Sequence, residues 1–387
     1  MRLDFLRALY GNPPDDFGAR YVSVYLDTTP TTASAAAEVG LRWLDARERL
    51  AAAGADAATL DAAGQAATRR DHSVSGRVIF ARGGKVLLEG ALPRPPEREL
   101  VNLAPLPHVM PWLAQFQFPA RVPHVRVAAG RAGGQVLTVP GGAAGEPAEM
   151  VTVEGVAWPV HKASAGGWSE KRFQRSTEET WAVNARRIAA AAVAEAERVH
   201  AEFVVVGGDV RERSMVLDSL PSPLRESAVT VDREVAADDA AFNAAARAEE
   251  ERRAAAEART LLDELAARLN GAAPGERRAV TGLTDTLTAL RDGLASDVLL
   301  IGEPSWVPEA VWIGPGLADA ATERAALAER GIASPLQGRA DAALARAASG
   351  TGARLLFLPA DPALPGGPGG RAADGIAALL RAPAAAL

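Results

Sequence analysis

The run Phe203–Val206, FVVV, closed by Gly207-Gly208-Asp209, constrains this chain more than any other feature. Four consecutive apolar residues, three of them β-branched, read as a buried strand. A helix is predicted before it, from Ser176 to about His200, and another after it, from Arg211 to Leu220. A short strand at Ala228–Val231 follows. Helix, strand, turn and helix in that order belong to an α/β fold with a mixed or parallel sheet. Ser176-Thr177-Glu178-Glu179 has the Ser-x-x-Glu pattern of a capping box and sets the expected helix start. The Gly-Gly-Asp turn has two readings. The commoner is that it lets the chain leave the sheet; the other is a phosphate or metal loop.

The same alternation organises the rest of the chain. Its 387 residues are enough for two or three domains. In the first 120 residues we predict a short helix over 2–9, a strand at Tyr21–Asp27, and a helix over 33–50 with Val39, Leu41, Trp43 and Leu44 buried. A second helix is predicted over 57–68, then strands at Gly76–Ala81 and Val86–Leu88 joined by Arg82-Gly83-Gly84-Lys85, a hairpin signal. Prolines crowd the stretch that follows and place a boundary near 119–123. A second domain, residues 121–272, opens with strands at Val125–Ala129 and Gln135–Val139. It closes with a long charged helix from Asp238 to about Leu269, whose acidic and basic part at 247–259 reads as a solvated face. A third, residues 275–387, carries predicted helices over 280–294, 318–330, 339–350 and 374–380. Its predicted strands are Asp297–Gly302, Val311–Ile313 and Arg354–Leu358, the pattern of a small α/β/α sandwich.

Several chemistries are excluded or left without a motif. There is no cysteine, so disulfides, thiol catalysis and Cys-ligated zinc are ruled out. No Gly-x-x-x-x-Gly-Lys, no Gly-x-Gly-x-x-Gly after a strand, no His-Glu-x-x-His and no Gly-x-Ser-x-Gly is present, and the five histidines do not fall at ligand spacing. No cofactor and no metal are expected. No window is apolar enough for a membrane span, and the N-terminus lacks the apolar run of a signal peptide. The net charge of −6 confines any nucleic-acid contact to a local basic patch.

Such a patch exists between Trp158 and Arg187. Two of the three lysines, Lys162 and Lys171, lie there, with three of the seven tryptophans, Trp158, Trp168 and Trp181. Six cations face three acids over this stretch, a local excess of positive charge on an acidic protein. Gly166 and Gly167 permit close backbone approach. Trp168 suits base stacking, and Lys171, Arg172 and Arg175 suit phosphates. A surface loop with Trp168 folded back on its own domain is the competing reading. His161, taken alone, reads as a structural histidine.

At these residues the chain resembles a known family. PVHK (159–162), AGGWSEKRFQR (165–175), STEETW (176–181) and NARRIA (184–189) are similar to actinobacterial members of the bacterial release-factor-like superfamily. Its relatives include archaeo-eukaryotic release factor, Pelota and the ribosome hibernation factor Balon. VVVGGDVRERS (204–214), SLPSPL (219–224), RADAAL (339–344) and DGIAALLR (374–381) extend the resemblance, which is good over about 125–387 and weak before it. It implies a cytoplasmic translation factor of three α/β domains, the middle one ribonuclease-H-like and the last L7Ae-like. The 163–175 loop would enter the A site of the 70S ribosome against rRNA. The ribosome-binding residues would be His161, Lys162, Gly166, Gly167, Trp168, Lys171, Arg172 and Arg175. Peptidyl-tRNA and an elongation factor are further expected partners; DNA and membrane are not. Relatives that hydrolyse peptidyl-tRNA carry Gly-Gly-Gln or Gly-x-x-Gln in the loop. Here Gly167-Trp168-Ser169-Glu170 has Glu in place of Gln, and Gln174 lies four residues further on. Glu170 and Gln174 are catalytic candidates only if the protein is a hydrolase. The departure favours occupancy of idle ribosomes under stress without hydrolysis.

Overall fold

The computed structural model describes residues 3–11, 17–29, 35–69, 75–92, 94–117, 122–141, 148–156, 167–233, 236–270, 277–302, 309–358 and 375–382, and not the side chains of 35, 36, 167–177 and 270. The chain divides into two compact units, Met1–Phe118 with Glu257–Leu387, and Pro119–Ala256.

The N-terminal segment of the first unit runs α1 (Arg7–Tyr10), β1 (Tyr21–Asp27), α2 (Ala35–Ala52), α3 (Ala57–Ala67), β2 (Gly76–Arg82), β3 (Lys85–Leu92), β4 (Leu100–Ala104) and α4 (Met110–Gln117). Its sheet has the order β3-β2-β1-β4 and is antiparallel throughout. The expected hairpin is present: Gly83 and Gly84 take φ of 57° and 74°, which a two-residue primed turn requires. β4 and α4 were not expected, because local proline content hid them. The buried stripe of α2 is Trp43, Ala46 and Leu50, at helical spacing, rather than Leu41 and Leu44. Those two are 67% and 60% exposed, since a helix turns about 100° per residue and carries them off that stripe.

The second unit runs β5 (His124–Gly130), β6 (Gly133–Val139), β7 (Glu149–Glu154), α5 (Gly167–Val199), β8 (Phe203–Gly207), α6 (Val210–Ser219), α7 (Ser222–Glu226) and β9 (Ala228–Val231). Its sheet order is β7-β6-β5-β8-β9. β5 pairs antiparallel with β6 and parallel with β8, and β8 pairs parallel with β9. This is the mixed sheet that the alternation of helix and strand predicts. Strand alternation divides its apolar side chains between two cores. Val125, Val127, Val204 and Val206 meet Ala185, Ile188, Ala189 and Ala192 of α5 on one face. Phe203 and Val205 meet Phe242 and Ala246 of α8 (Ala240–Asn270) on the other. The charged part of α8 is not wholly solvated: Glu249 and Glu250 are buried, Glu249 against Arg252 and Arg253, and Glu250 within 3.6 Å of His124.

The C-terminal segment returns to the first unit as β10 (Ala279–Thr281), α9 (Leu283–Arg291), β11 (Ala295–Ile301), β12 (Ala310–Ile313), β13 (Ala320–Ala321), α10 (Arg324–Ala328), β14 (Leu336–Arg339), α11 (Ala340–Thr351), β15 (Arg354–Leu358) and β16 (Ile376–Leu380). Two sheets result, β10-β16-β11-β15 and β13-β12-β14. Three expectations are corrected here. The helix expected over 374–380 is not what the described residues form: Ile376–Leu380 is a fully buried strand between β10 and β11, since a short apolar run fits either structure and tertiary pairing decides. The helix expected over 280–294 starts only at Leu283, because Gly282 at φ 86° interrupts it and 279–281 pairs with β16. The helix expected over 318–330 shrinks to Arg324–Ala328, with Ala320–Ala321 paired to β12. α11 is buried on nearly all sides, and Leu3, Leu6 and Leu9 share its core.

Candidate functional site

Gly130 ends β5, and the turn Arg131-Ala132 leads into β6 at Gly133. Gly133 has φ 131°, and a Cβ there would lie 2.3 Å from the Val153 carbonyl oxygen, so only glycine fits. The Gly155 amide donates to the Ala132 carbonyl at 3.0 Å. One residue later, the Val156 amide donates to Asn184 Oδ1 at 2.8 Å, and Asn184 Nδ2 donates to the Arg131 carbonyl at 2.9 Å. Asn184 is 1% exposed, with both its amide oxygen and its amide nitrogen bonded. It joins three pieces: the β5–β6 turn, the end of β7 and α5. A buried amide without such partners costs roughly 1–3 kcal/mol, which is the physical reason for a polar residue here.

Trp181 lies one turn before Asn184. The guanidinium carbons of Arg131 and Arg211 lie over its ring, 5.3 and 5.2 Å from the centroid. Arg131 donates to Glu212 at 3.1 Å, and Glu212 is buried. Arg211 donates to Glu178 of α5 at 2.5 Å. A small cavity opens among Arg131, Trp181, Ile188 and Glu212. Asp209 caps α6 by accepting from the Arg211 amide at 3.1 Å. That hydrogen bond is the main reason its carboxyl lies below the ordinary value, with the charges of Arg131 and Arg213 assisting. Gly208, at φ 138°, turns the chain out of β8. The Gly-Gly-Asp turn thus ends a strand and caps a helix. Among the described residues no group of His, Asp and Glu is arranged to hold a metal ion, and no helix is long and apolar enough to cross a membrane.

The expected helix start at Ser176 is overturned. α5 begins at Gly167, and the Ser-x-x-Glu pattern lies inside it. No glycine or proline separates Gly167 from Ser176, and each residue of WSEKRFQR tolerates a helix, so once formed the helix extends through them. The 163–175 segment is therefore not a loop throughout: 167–175 is helical, while 163–166 lies outside the described residues. Gly167, Trp168, Glu170, Lys171, Arg172, Gln174 and Arg175 all occupy the first turns of α5. His161, Lys162 and Gly166 lie outside the described residues. Glu170 and Gln174 stand four apart, as do Lys171 and Arg175 and also Trp168 and Arg172, so each pair shares a strip of the helix. α5 has 33 residues and is about 50 Å long. Among the described side chains of α5, which begin at Glu178, the first in the core is Ala185.

Sequence reading did not single out Arg131, Asn184, Arg211 or Glu212. Asn184 lay within the NARRIA motif, but nothing local said which amides it would bind. Arg131 sat in a Gly-rich turn, and Arg211 and Glu212 read as an ordinary charged helix start.

Comparison with known proteins agrees with the geometry of this unit. Residues 123–270 match the model of the bacterial archaeo-eukaryotic release factor family 2. Uncharacterised proteins of two Mycobacterium tuberculosis strains, CDC 1551 / Oshkosh and H37Rv, are each 30% identical over 343 residues, 87% of this chain and 88% of theirs. Among solved structures, an archaeal translation termination factor is 15% identical with TM-score 0.24, covering 98% of this chain and 97% of its own. Archaeoglobus fulgidus Pelota is 15% identical with TM-score 0.37, covering 99% and 93%. A ribosome-bound archaeal Pelota is 12% identical with TM-score 0.36, covering 98% and 94%. These TM-scores are low, and membership rests on the sequence matches. The cross-tied hairpin, the mixed sheet and the long α5 all lie in the matched region, and the chain belongs to the bacterial archaeo-eukaryotic release factor family.

Proposed function

We propose that this protein is a cytoplasmic ribosome-binding factor that occupies the A site of idle 70S particles without hydrolysing peptidyl-tRNA, and so protects them under stress. The observation that carries this reading is the helical start of α5. Gly167-Trp168-Ser169-Glu170, the position of a Gly-x-x-Gln turn in hydrolysing relatives, forms the first turn of a helix here. A helix fixes backbone torsions that a glycine turn leaves free. A carboxylate at Glu170 has no amide donor and is favoured by the positive end of the helix. Lys171, Arg172 and Arg175 follow directly and supply phosphate contacts. Family membership supports a translation factor. The three-domain division with an L7Ae-like last domain, and an elongation-factor partner, belong to this proposal.

Two measurements test it. In co-sedimentation with 70S ribosomes, Lys171→Glu with Arg172→Glu should weaken binding roughly tenfold or more. The dependence of log K on log salt should flatten by about 1.4, at ~0.7 per lost phosphate contact. Unchanged pelleting removes the segment from the interface. With ribosome–nascent-chain complexes, the wild-type protein should release no peptide. Release that disappears on Glu170→Ala or Gln174→Ala establishes a hydrolase instead.

A further inference from the structure

The cationic start of α5 raises a mechanical question. A helix holds its shape by its own hydrogen bonds, but its direction is set by its tertiary contacts. Ala185 begins the core packing, and Trp181 and Glu178 are the described α5 residues just before it with charged partners from other elements. Trp181 has a guanidinium from each of two elements over its ring: Arg131 from the β5–β6 turn and Arg211 from the first turn of α6. Each arginine is itself fixed. Arg131 is held by buried Glu212, and Arg211 by Glu178 through its side chain and by the Asp209 cap through its amide. Asn184 ties α5 to the Arg131 carbonyl one turn later.

An anion site is the other use for two arginines beside a cavity, and the charges argue against it. Arg131 is neutralised by Glu212 and Arg211 by Glu178, and Asp209 adds a further carboxylate. A neutral, cross-linked cluster attracts no phosphate. It can fix an angle.

We infer that Trp181, Arg131 and Arg211 are positioning residues, a brace that aims the N-terminal half of α5. Their value lies in leverage. Gly167 is fourteen residues from Trp181, about 21 Å along the helix. A tilt of about 10° at the brace moves the tip by ~4 Å, enough to break a hydrogen bond or a phosphate contact. The brace needs no ribosome to be observed, but its consequence for binding rests on the proposed A-site reading.

The chain has no cysteine, so introduced cysteines carry spin labels uniquely. Labels at Phe173→Cys on α5 and Asp218→Cys on α6 report the angle as a distance distribution. In the otherwise unchanged full-length protein the distribution should be narrow. Arg131→Ala with Arg211→Ala should at least double its width, with helix content and melting transition retained. The same variant should then co-sediment with 70S ribosomes roughly fivefold less well, although Lys171 and Arg172 are intact. A distribution that stays narrow overturns the brace, whatever happens to binding. Broadening without loss of binding upholds the brace and removes the α5 tip from the interface. If the double variant does not fold, Trp181→Leu, which keeps an apolar filling and removes the π face, is read by the same criterion.

Discussion

Replacing Asp341 by Ala should destabilise the first unit by about 3–5 kcal/mol, the usual cost of removing one partner from a buried charged cluster. Asp341, at the start of α11, is 2% exposed. Its oxygens accept from Arg339 at 2.8 and 3.0 Å and from the Ala342 amide at 2.7 Å, and His108 Nε2 lies 3.2 Å away. The far side of His108 is held as firmly. Its amide donates to Ser23 Oγ at 3.1 Å, and its carbonyl accepts from Tyr25 Oη at 2.6 Å. Tyr25 Oη in turn accepts from the Trp112 amide at 3.2 Å. Without the carboxylate, buried donors on both sides lose their acceptor. The melting temperature should fall by roughly 6–20 °C, at about 2–4 °C per kcal/mol for a body of this size.

The same residue sets a pH dependence with a definite sign. Burial pushes the Asp341 carboxyl up, but hydrogen bonds from His108 and Arg339 and the charges of those groups outweigh it and hold the carboxyl below its ordinary 3.8. A depressed folded-state pKa means that the stabilisation is fully present above the unfolded value and is lost as pH falls through the folded one. Asp341→Asn should therefore differ most from wild type above about pH 4, and the gap should narrow as pH falls below 3.8. Chemical denaturation at pH 7 and pH 3 measures both arms. A gap that widens in acid contradicts the assignment.

The second large effect is expected at Gly208. Gly208→Ala should cost about 2–5 kcal/mol. Roughly 1–3 comes from a backbone at φ 138° that alanine rarely adopts, and a similar amount from overpacking. A Cβ there would lie 2.5 Å from the Ala129 carbonyl oxygen and 3.2 Å from the Ala129 side chain, and backbone cannot swing aside. The prediction separates the two readings of Gly207-Gly208-Asp209. For a strand exit and helix cap, loss of thermal stability is the whole phenotype. For a phosphate loop, some variant of Asp209 would abolish nucleotide binding while leaving the fold intact. Thermal unfolding of Gly208→Ala, and calorimetric titration of Asp209→Ala with a nucleoside triphosphate, decide between them.

Much of the fold was readable where local pattern and final environment agree. Phe203–Val206 reads as a buried strand, and it is the strand that serves both cores of the second unit. Gly83-Gly84 could only be a tight turn, and both take positive φ. The misreadings share one cause, which is that short segments take their structure from partners far away in the chain. Ile376–Leu380 has no periodicity that separates helix from strand, and pairing to β10 and β11 settles it. Leu41 and Leu44 look like core residues until Trp43, Ala46 and Leu50 claim the buried stripe.

The candidate site divides along the same line. Composition and motif alone located the segment: its lysines, tryptophans, glycines and the Glu170 departure are local facts, independent of folding. They also carried the family resemblance. The group that steers α5 could come only from tertiary structure. Arg131, Asn184 and Arg211 are separated by 27 residues or more and meet only because β5 lies next to β8 in the sheet and α5 packs across both. Periodicity reports which side of an element is buried. It carries no information about which distant side chain will be found there, because that depends on strand order, and strand order is fixed by the packing of the whole unit.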